Sequence, residues 1–235
     1  MPDIIALGGG GFSMEPDNPA LDRYILDAAR GARRARPRVC FLPTATDNIG
    51  SYLFKFYQAF SQHDCQPAHL SLFNLPTADL EGYLLDQDLI YVGGGNTRSL
   101  LALWREWGLD GILRRAYAAG VVLAGISAGA NCWFEQCTTD SVPGQLTMLP
   151  ALGLLPGSFT PHYDGEPQRR PAVHRLLLAG ALLPGFAVDD SAGIHFVDGQ
   201  VFRGVCSRPT ARAYRVALHG GQVVETALDM IDAVP

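Results

Sequence analysis

No apolar run in the 235-residue chain approaches the ~20 residues that a bilayer-spanning helix requires. The opening Met1-Pro2-Asp3-Ile4-Ile5 lacks a basic segment followed by an apolar one, so no secretory leader is predicted and a cytoplasmic protein is expected. Basic residues are in deficit: 18 Lys and Arg against 23 Asp and Glu leave a formal charge of −5, which argues against nucleic acid or a membrane surface as the main partner. Cysteine is scattered, with residues at 40, 65, 132, 137 and 206. These form no C-x-x-C pair and no second cluster that completes a zinc site, so reduced buried thiols and no metal are predicted. Internal repeats, low-complexity tracts and long linkers are also missing. With 48% hydrophobic residues, the chain suits one α/β domain over 1–235.

What is present is an alternation of short apolar runs with helical patterns, the signature of a mostly parallel sheet with helices on both faces. Ile4–Leu7, Val39–Leu42 and Leu89–Val92 read as buried strands, and alternation predicts another over 68–72. Helices are predicted over about 19–35, over 50–63, through Leu100, Leu101 and Leu103, and over roughly 108–119. After residue 183 two hairpins are expected. One turns at Asp198-Gly199 and the other at His219-Gly220-Gly221, together forming an antiparallel extension on the same sheet.

The chemistry-bearing motif is Gly125-Ile126-Ser127-Ala128-Gly129, a G-x-S-x-G directly after the apolar run Val121–Ala124. A buried strand that enters a helix through small residues holds the Ser127 hydroxyl clear of the chain at the helix N-terminus. The amide of Ala128 then points where an oxyanion would develop. The bland alternative is a tight turn in which Ser127 only caps the helix. Gly8–Gly11 lacks the spacing of a dinucleotide fingerprint, so a tight turn lining a cleft is expected there instead of nucleotide binding. Gly93-Gly94-Gly95-Asn96 also ends a strand. Gly94 or Gly95 is a candidate second oxyanion donor, and Asn96 is a candidate substrate contact or a helix cap.

A serine hydroxyl needs an adjacent base to become a useful nucleophile. Of six histidines, His162 lies in the polar loop Thr160-Pro161-His162-Tyr163-Asp164-Gly165-Glu166 after an apolar segment, where function concentrates. The others read as surface or structural. For the acid that orients the imidazole, Asp189 and Asp190 lie at a probable strand end, Asp140 follows Thr138-Thr139, and Asp164 is two residues from His162. Each is equally readable as a turn-capping aspartate. Arg169 and Arg170 are candidates to bind a substrate carboxylate, or are solvated charges at a helix start.

Val92–Thr97, Gly125–Asn131 and Pro161-His162, in that order, resemble the peptidase E (α-aspartyl dipeptidase) family and its relative cyanophycinase. The resemblance runs from the first strand to about residue 196. It implies a three-layer, flavodoxin-like fold related to class I glutamine amidotransferases, with serine as nucleophile. It further implies Ser127 as that nucleophile, His162 as its histidine, Gly94 or Gly95 at the oxyanion turn, and either Asp140 or the strand-end acid completing the triad, Asp189 being favoured. The loop 163–171 departs from the family pattern, which leaves selectivity for an N-terminal aspartate open. The expected function is a serine peptidase acting on dipeptides or short peptides through an acyl-enzyme, without cofactor and with a homodimer as the candidate assembly. An esterase or amidase on a non-peptide substrate, or a non-catalytic binding module, are the rivals.

Overall fold

Ile4, Ile5, Ala6 and Leu7 are all fully buried, because the strand they form is covered on both faces. This strand, β1 (Asp3–Leu7), pairs in parallel with β5 (Val122–Ile126); β5 pairs with β4 (Leu89–Val92), β4 with β2 (Arg38–Leu42), and β2 with the edge strand β3 (Gln66–His69), all in parallel. The computed structural model describes residues 2–30, 34–144 and 146–233. Period-two alternation splits each strand between two cores. Ile5, Leu7, Phe41 and Tyr91 face an aromatic cluster with Phe12, Phe56 and Phe60, beneath the helices α1 (Gly11–Met14), α2 (Ala20–Ala29) and α3 (Ile49–Phe60). Ile4, Ala6, Cys40, Leu42, Ile90 and Val92 face the other way, toward α4 (Leu80–Leu85), α5 (Thr97–Glu106) and α6 (Leu109–Ala118).

Past the short helix α7 (Ala128–Asn131), the chain builds a second sheet on this latter side. Its strands are β6 (Phe134–Thr139), β7 (Thr147–Pro150), β8 (Leu155–Thr160) and, after helix α8 (Arg169–Leu178), β9 (Gly185–Val188). Phe134 stacks on Phe159 at 4.9 Å, and Phe186 meets Phe196 of the large sheet at 5.3 Å. The fold is thus three-layered α/β: helices, a mostly parallel sheet, then helices with a smaller sheet.

The expected C-terminal hairpins diverge. The first, β10 (Ala192–Val197) and β11 (Gln200–Cys206), extends the large sheet antiparallel beside β1. The second, β12 (Ala213–His219) and β13 (Gln222–Ala227), joins the smaller sheet through β9, correcting the expectation that it lies on the large one. A last strand, β14 (Met230–Asp232), pairs with β11. The helix expected to run to residue 35 ends at Ala29, and its predicted continuation over 31–33 lies outside the described residues. Among the described residues, no helix is long and apolar enough to cross a membrane.

Candidate active site

At the end of β5 the chain turns sharply into α7 with Ser127 at φ 55° and ψ −114°. A non-glycine residue in such a conformation costs roughly 1–3 kcal/mol and persists only where its surroundings enforce it. Here the enforcement is visible. A Cβ on Gly125 would lie 2.0 Å from the Gly129 carbonyl oxygen, and one on Gly129 would lie 2.2 Å from that of Val92. Only glycine at both places lets the helix pack so close to the sheet. The Ser127 carbonyl accepts from the amides of Ala130 and Asn131, closing the turn behind the hydroxyl.

His162 follows β8 and is also at positive φ, 53°. Its Nε2 lies 2.9 Å from Ser127 Oγ, and its Nδ1 lies 2.6 Å from Asp190 Oδ1. An ionised carboxylate can only accept, so Nδ1 carries the proton, and Nε2 is left with the lone pair that accepts from the serine hydroxyl. Two glycines make room for the acid. A Cβ on Gly9 would fall 1.9 Å from Asp190 Oδ1, and one on Gly165 2.1 Å from Oδ2.

The end of β1 and the loop after it align these segments. Leu7 O accepts from the Ser127 amide at 3.1 Å, Gly8 O from the His162 amide at 3.3 Å, and Gly9 O from the Ser191 amide at 3.2 Å. Three successive carbonyls therefore hold the backbones next to all three side chains.

The carboxylate against the imidazole is that of Asp190, one residue beyond the favoured Asp189. Asp189 is buried, and its Oδ2 accepts from the Arg212 amide at 2.9 Å, so it anchors the loop before β12 and does not touch His162. Burial pushes its carboxyl up to about 6 despite that amide. Asp140 is largely exposed and faces Arg169 at 3.7 Å, away from the imidazole. Asp164 likewise does not meet the imidazole ring; it accepts from the Asp190 amide at 2.8 Å.

Gly94 does lie beside Ser127, since a Cβ there would be 3.3 Å from Ser127 Cβ; its amide, however, donates to the Tyr52 hydroxyl at 3.0 Å. Gly95, at φ 137°, packs on Ala45, where a Cβ would come within 2.2 Å of the carbonyl oxygen. Ala128 opens α7, where the first amides have no intrahelical acceptor. Asn96 is a cap: its Oδ1 accepts from the Ser99 amide at 2.9 Å and its Nδ2 donates to Ser141 O, so its side chain is committed to the helix start.

The two arginines are also engaged within the protein. Arg169 is buried and forks onto Glu166 through Nε at 2.8 Å and Nη2 at 3.2 Å. Arg170 pairs with Glu225 at 2.7 Å and lies over the Tyr163 ring. His174, expected to be solvated, shares Glu225 at 2.6 Å, and His195 meets Tyr24 at 2.8 Å. Tyr52 and Gly9 escaped sequence reasoning as site residues. The run Gly8–Gly11 was the available signal for Gly9, whereas nothing near Tyr52 marks it. Tyr52 also lines a cavity of about 200 Å³ with Ser13, Thr46, Asn48, Ser51 and Lys55. Among the described residues, no group of three or more His, Cys, Asp or Glu could hold a metal ion.

A serine at a strained strand–helix turn, at the C-terminal edge of a largely parallel sheet and bonded to a histidine, defines an α/β protein of hydrolase type. The chain belongs to peptidase family S51, whose family model matches residues 4–204, and it is a peptidase. It is 56% identical over 228 residues to the uncharacterized peptidase YgaJ of Bacillus subtilis (strain 168), covering 97% of each chain. It is 39% identical over 150 residues to peptidase E of Shewanella amazonensis, covering 63% of this chain and 62% of that one. In fold it resembles the crystal structure of a peptidase from an acI-B1 Actinobacterium, with TM-score 0.70 and 17% identity over 98% of this chain and 95% of that one. It likewise resembles a putative peptidase E protein from Listeria monocytogenes EGD-e, with TM-score 0.60 and 20% identity over 97% of this chain and 100% of that one.

Proposed function

We propose that the protein is a serine peptidase that hydrolyses dipeptides or short peptides, with Ser127 as nucleophile, His162 as general base and Asp190 as the orienting acid. The observation that carries this is the continuous contact from Ser127 Oγ through the His162 ring to Asp190, at 2.9 and 2.6 Å. His162 Nε2 takes the hydroxyl proton as Oγ attacks the scissile carbonyl, and Asp190 stabilises the imidazolium that forms. The proton passes to the leaving amine, water enters, and His162 repeats its role to release the acyl group.

The Ala128 amide, at the start of α7, supplies one oxyanion donor. Gly94 supplies the second when the incoming oxygen displaces the Tyr52 hydroxyl from its amide. The five unpaired, buried cysteines fit a reducing, cytoplasmic setting.

Ser127→Ala is expected to lower kcat on a dipeptide panel by about 10⁴-fold or more while circular dichroism stays unchanged. Turnover retained by that variant would refute the assignment.

A further inference from the structure

We infer that Asp164 and Arg208 form a brace that positions Asp190 by gripping its backbone; this rests on the serine-peptidase reading above. Asp190 lies in the short link between β9 and β10, outside both sheet ladders. Its amide donates to Asp164 Oδ1 at 2.8 Å, and its carbonyl oxygen accepts from Arg208 Nη2 at 3.0 Å. The brace closes on itself, because the same Nη2 reaches Asp164 Oδ2 at 2.5 Å, while Nη1 is steadied by Thr210 Oγ1 at 2.8 Å. One arm comes from the loop that carries His162, two residues away, and the other from the loop between β11 and β12. The base and the acid are thereby tied together by a contact independent of their own hydrogen bond.

The pair contributes geometry more than stability. Both side chains are a third or more exposed, and exposed ion pairs add little to stability. Burial would raise the Asp164 carboxyl, but the Asp190 amide and the Arg208 guanidinium outweigh it and hold the group below the usual carboxylate range. Asp164 thus stays ionised at neutral pH and keeps its grip. With Gly9 and Gly165 pressed against the two carboxylate oxygens, a turn of the Asp190 backbone has nowhere to put its side chain except out of line with Nδ1. Misplacement by about 1 Å costs on the order of 10²-fold in rate.

The charged and titratable groups around Asp190 are His162, Arg208, Asp164 and Asp189. The experiment compares Asp164→Ala, Asp164→Asn, Arg208→Ala and the Asp164→Ala/Arg208→Ala double variant with the wild type. The readouts are kcat and KM on a cleaved dipeptide and the rate of fluorophosphonate labelling at Ser127, across about pH 4 to 9, with folding checked by circular dichroism. Both alanine variants are expected to lose about 10–100-fold in kcat and labelling rate, with KM changed less than about twofold. Asp164→Asn keeps the acceptor for the Asp190 amide and is expected to lose less. The double variant should be no slower than the worse single, as members of one unit behave.

The acid limb of the pH profile should move to lower pH in both alanine variants, since an imidazolium that loses its carboxylate is less stable. One variant deletes a negative charge and the other a positive one, so shifts in opposite directions would mean a long-range charge effect and overturn the brace. Folded variants with wild-type kcat and labelling, or losses confined to KM, would overturn it as well. Failure of the underlying reading looks different: wild-type Ser127 resists the probe, or Ser127→Ala keeps its turnover.

Discussion

Asp189 directly follows β9 and Asp190 begins the turn into β10, so the chain bends between them: Asp190 faces His162 while Asp189 accepts from the Arg212 amide. That bend yields a sharp comparison. Asp190→Asn is expected to lower kcat by about 10³–10⁴-fold, because an amide at that position favours the wrong imidazole tautomer. Asp189→Asn retains the acceptor for Arg212 and should stay within about tenfold of wild type in the same kcat measurement. Ser127 and His162 were legible because each announces itself locally, one by small residues between a strand and a helix, the other by a polar loop after an apolar segment. The acid was legible only as a set of aspartates. Choosing between 189 and 190 requires the position of the turn after β9, and two consecutive identical residues leave it unmarked. Asp140 entered through a Thr-Thr resemblance, and its exposure at the protein surface removes it from the imidazole.

Helix α5 shows how a glycine-rich turn serves both neighbours. Asn96 ends the turn by capping α5, and Gly94, two residues earlier, is pressed against Ser127. Removing the cap with Asn96→Ala should cost about 1 kcal/mol. For a chain of this size that corresponds to a fall of roughly 2–4 °C in Tm, read by calorimetry. Parallel strands β1, β2, β4 and β5 were legible as continuous apolar runs, the pattern of strands buried on both faces. In the smaller sheet, β6, β7 and β8 were not. β6 reads Phe-Glu-Gln-Cys-Thr-Thr and β8 contains Pro156 and Gly157, so neither shows a clean two-residue period, and β7 ends on Pro150. Their burial comes from packing against the large sheet through Phe134, Phe159 and Phe186, a tertiary contact that no local window contains.

Across the whole molecule, two buried groups bend the pH dependence of stability in opposite directions. Burial raises the Asp22 carboxyl from 3.8 to about 8, so the stability it allows is complete below pH 3.8 and drains away as pH rises toward 8. Burial, aided by Arg203, lowers His195 from 6.5 to about 4, so its share is complete above pH 6.5 and is lost as pH falls toward 4. Each contributes a slope approaching about 1.4 kcal/mol per pH unit within its window. Between pH 4 and 6.5 the two largely cancel; above 6.5 the Asp22 loss stands alone. Denaturant unfolding of Asp22→Asn should therefore show stability gained over wild type that grows between pH 6.5 and 8, and a gain that is flat with pH would contradict this. The three carbonyls of Leu7, Gly8 and Gly9 carry a different consequence. Ser127, His162 and Ser191, the neighbour of Asp190, are held around the C-terminal end of β1, so trimming the first ten residues would dismantle the site without deleting Ser127, His162 or Asp190. The site is thereby made contingent on β1 having found its place between β5 and β10.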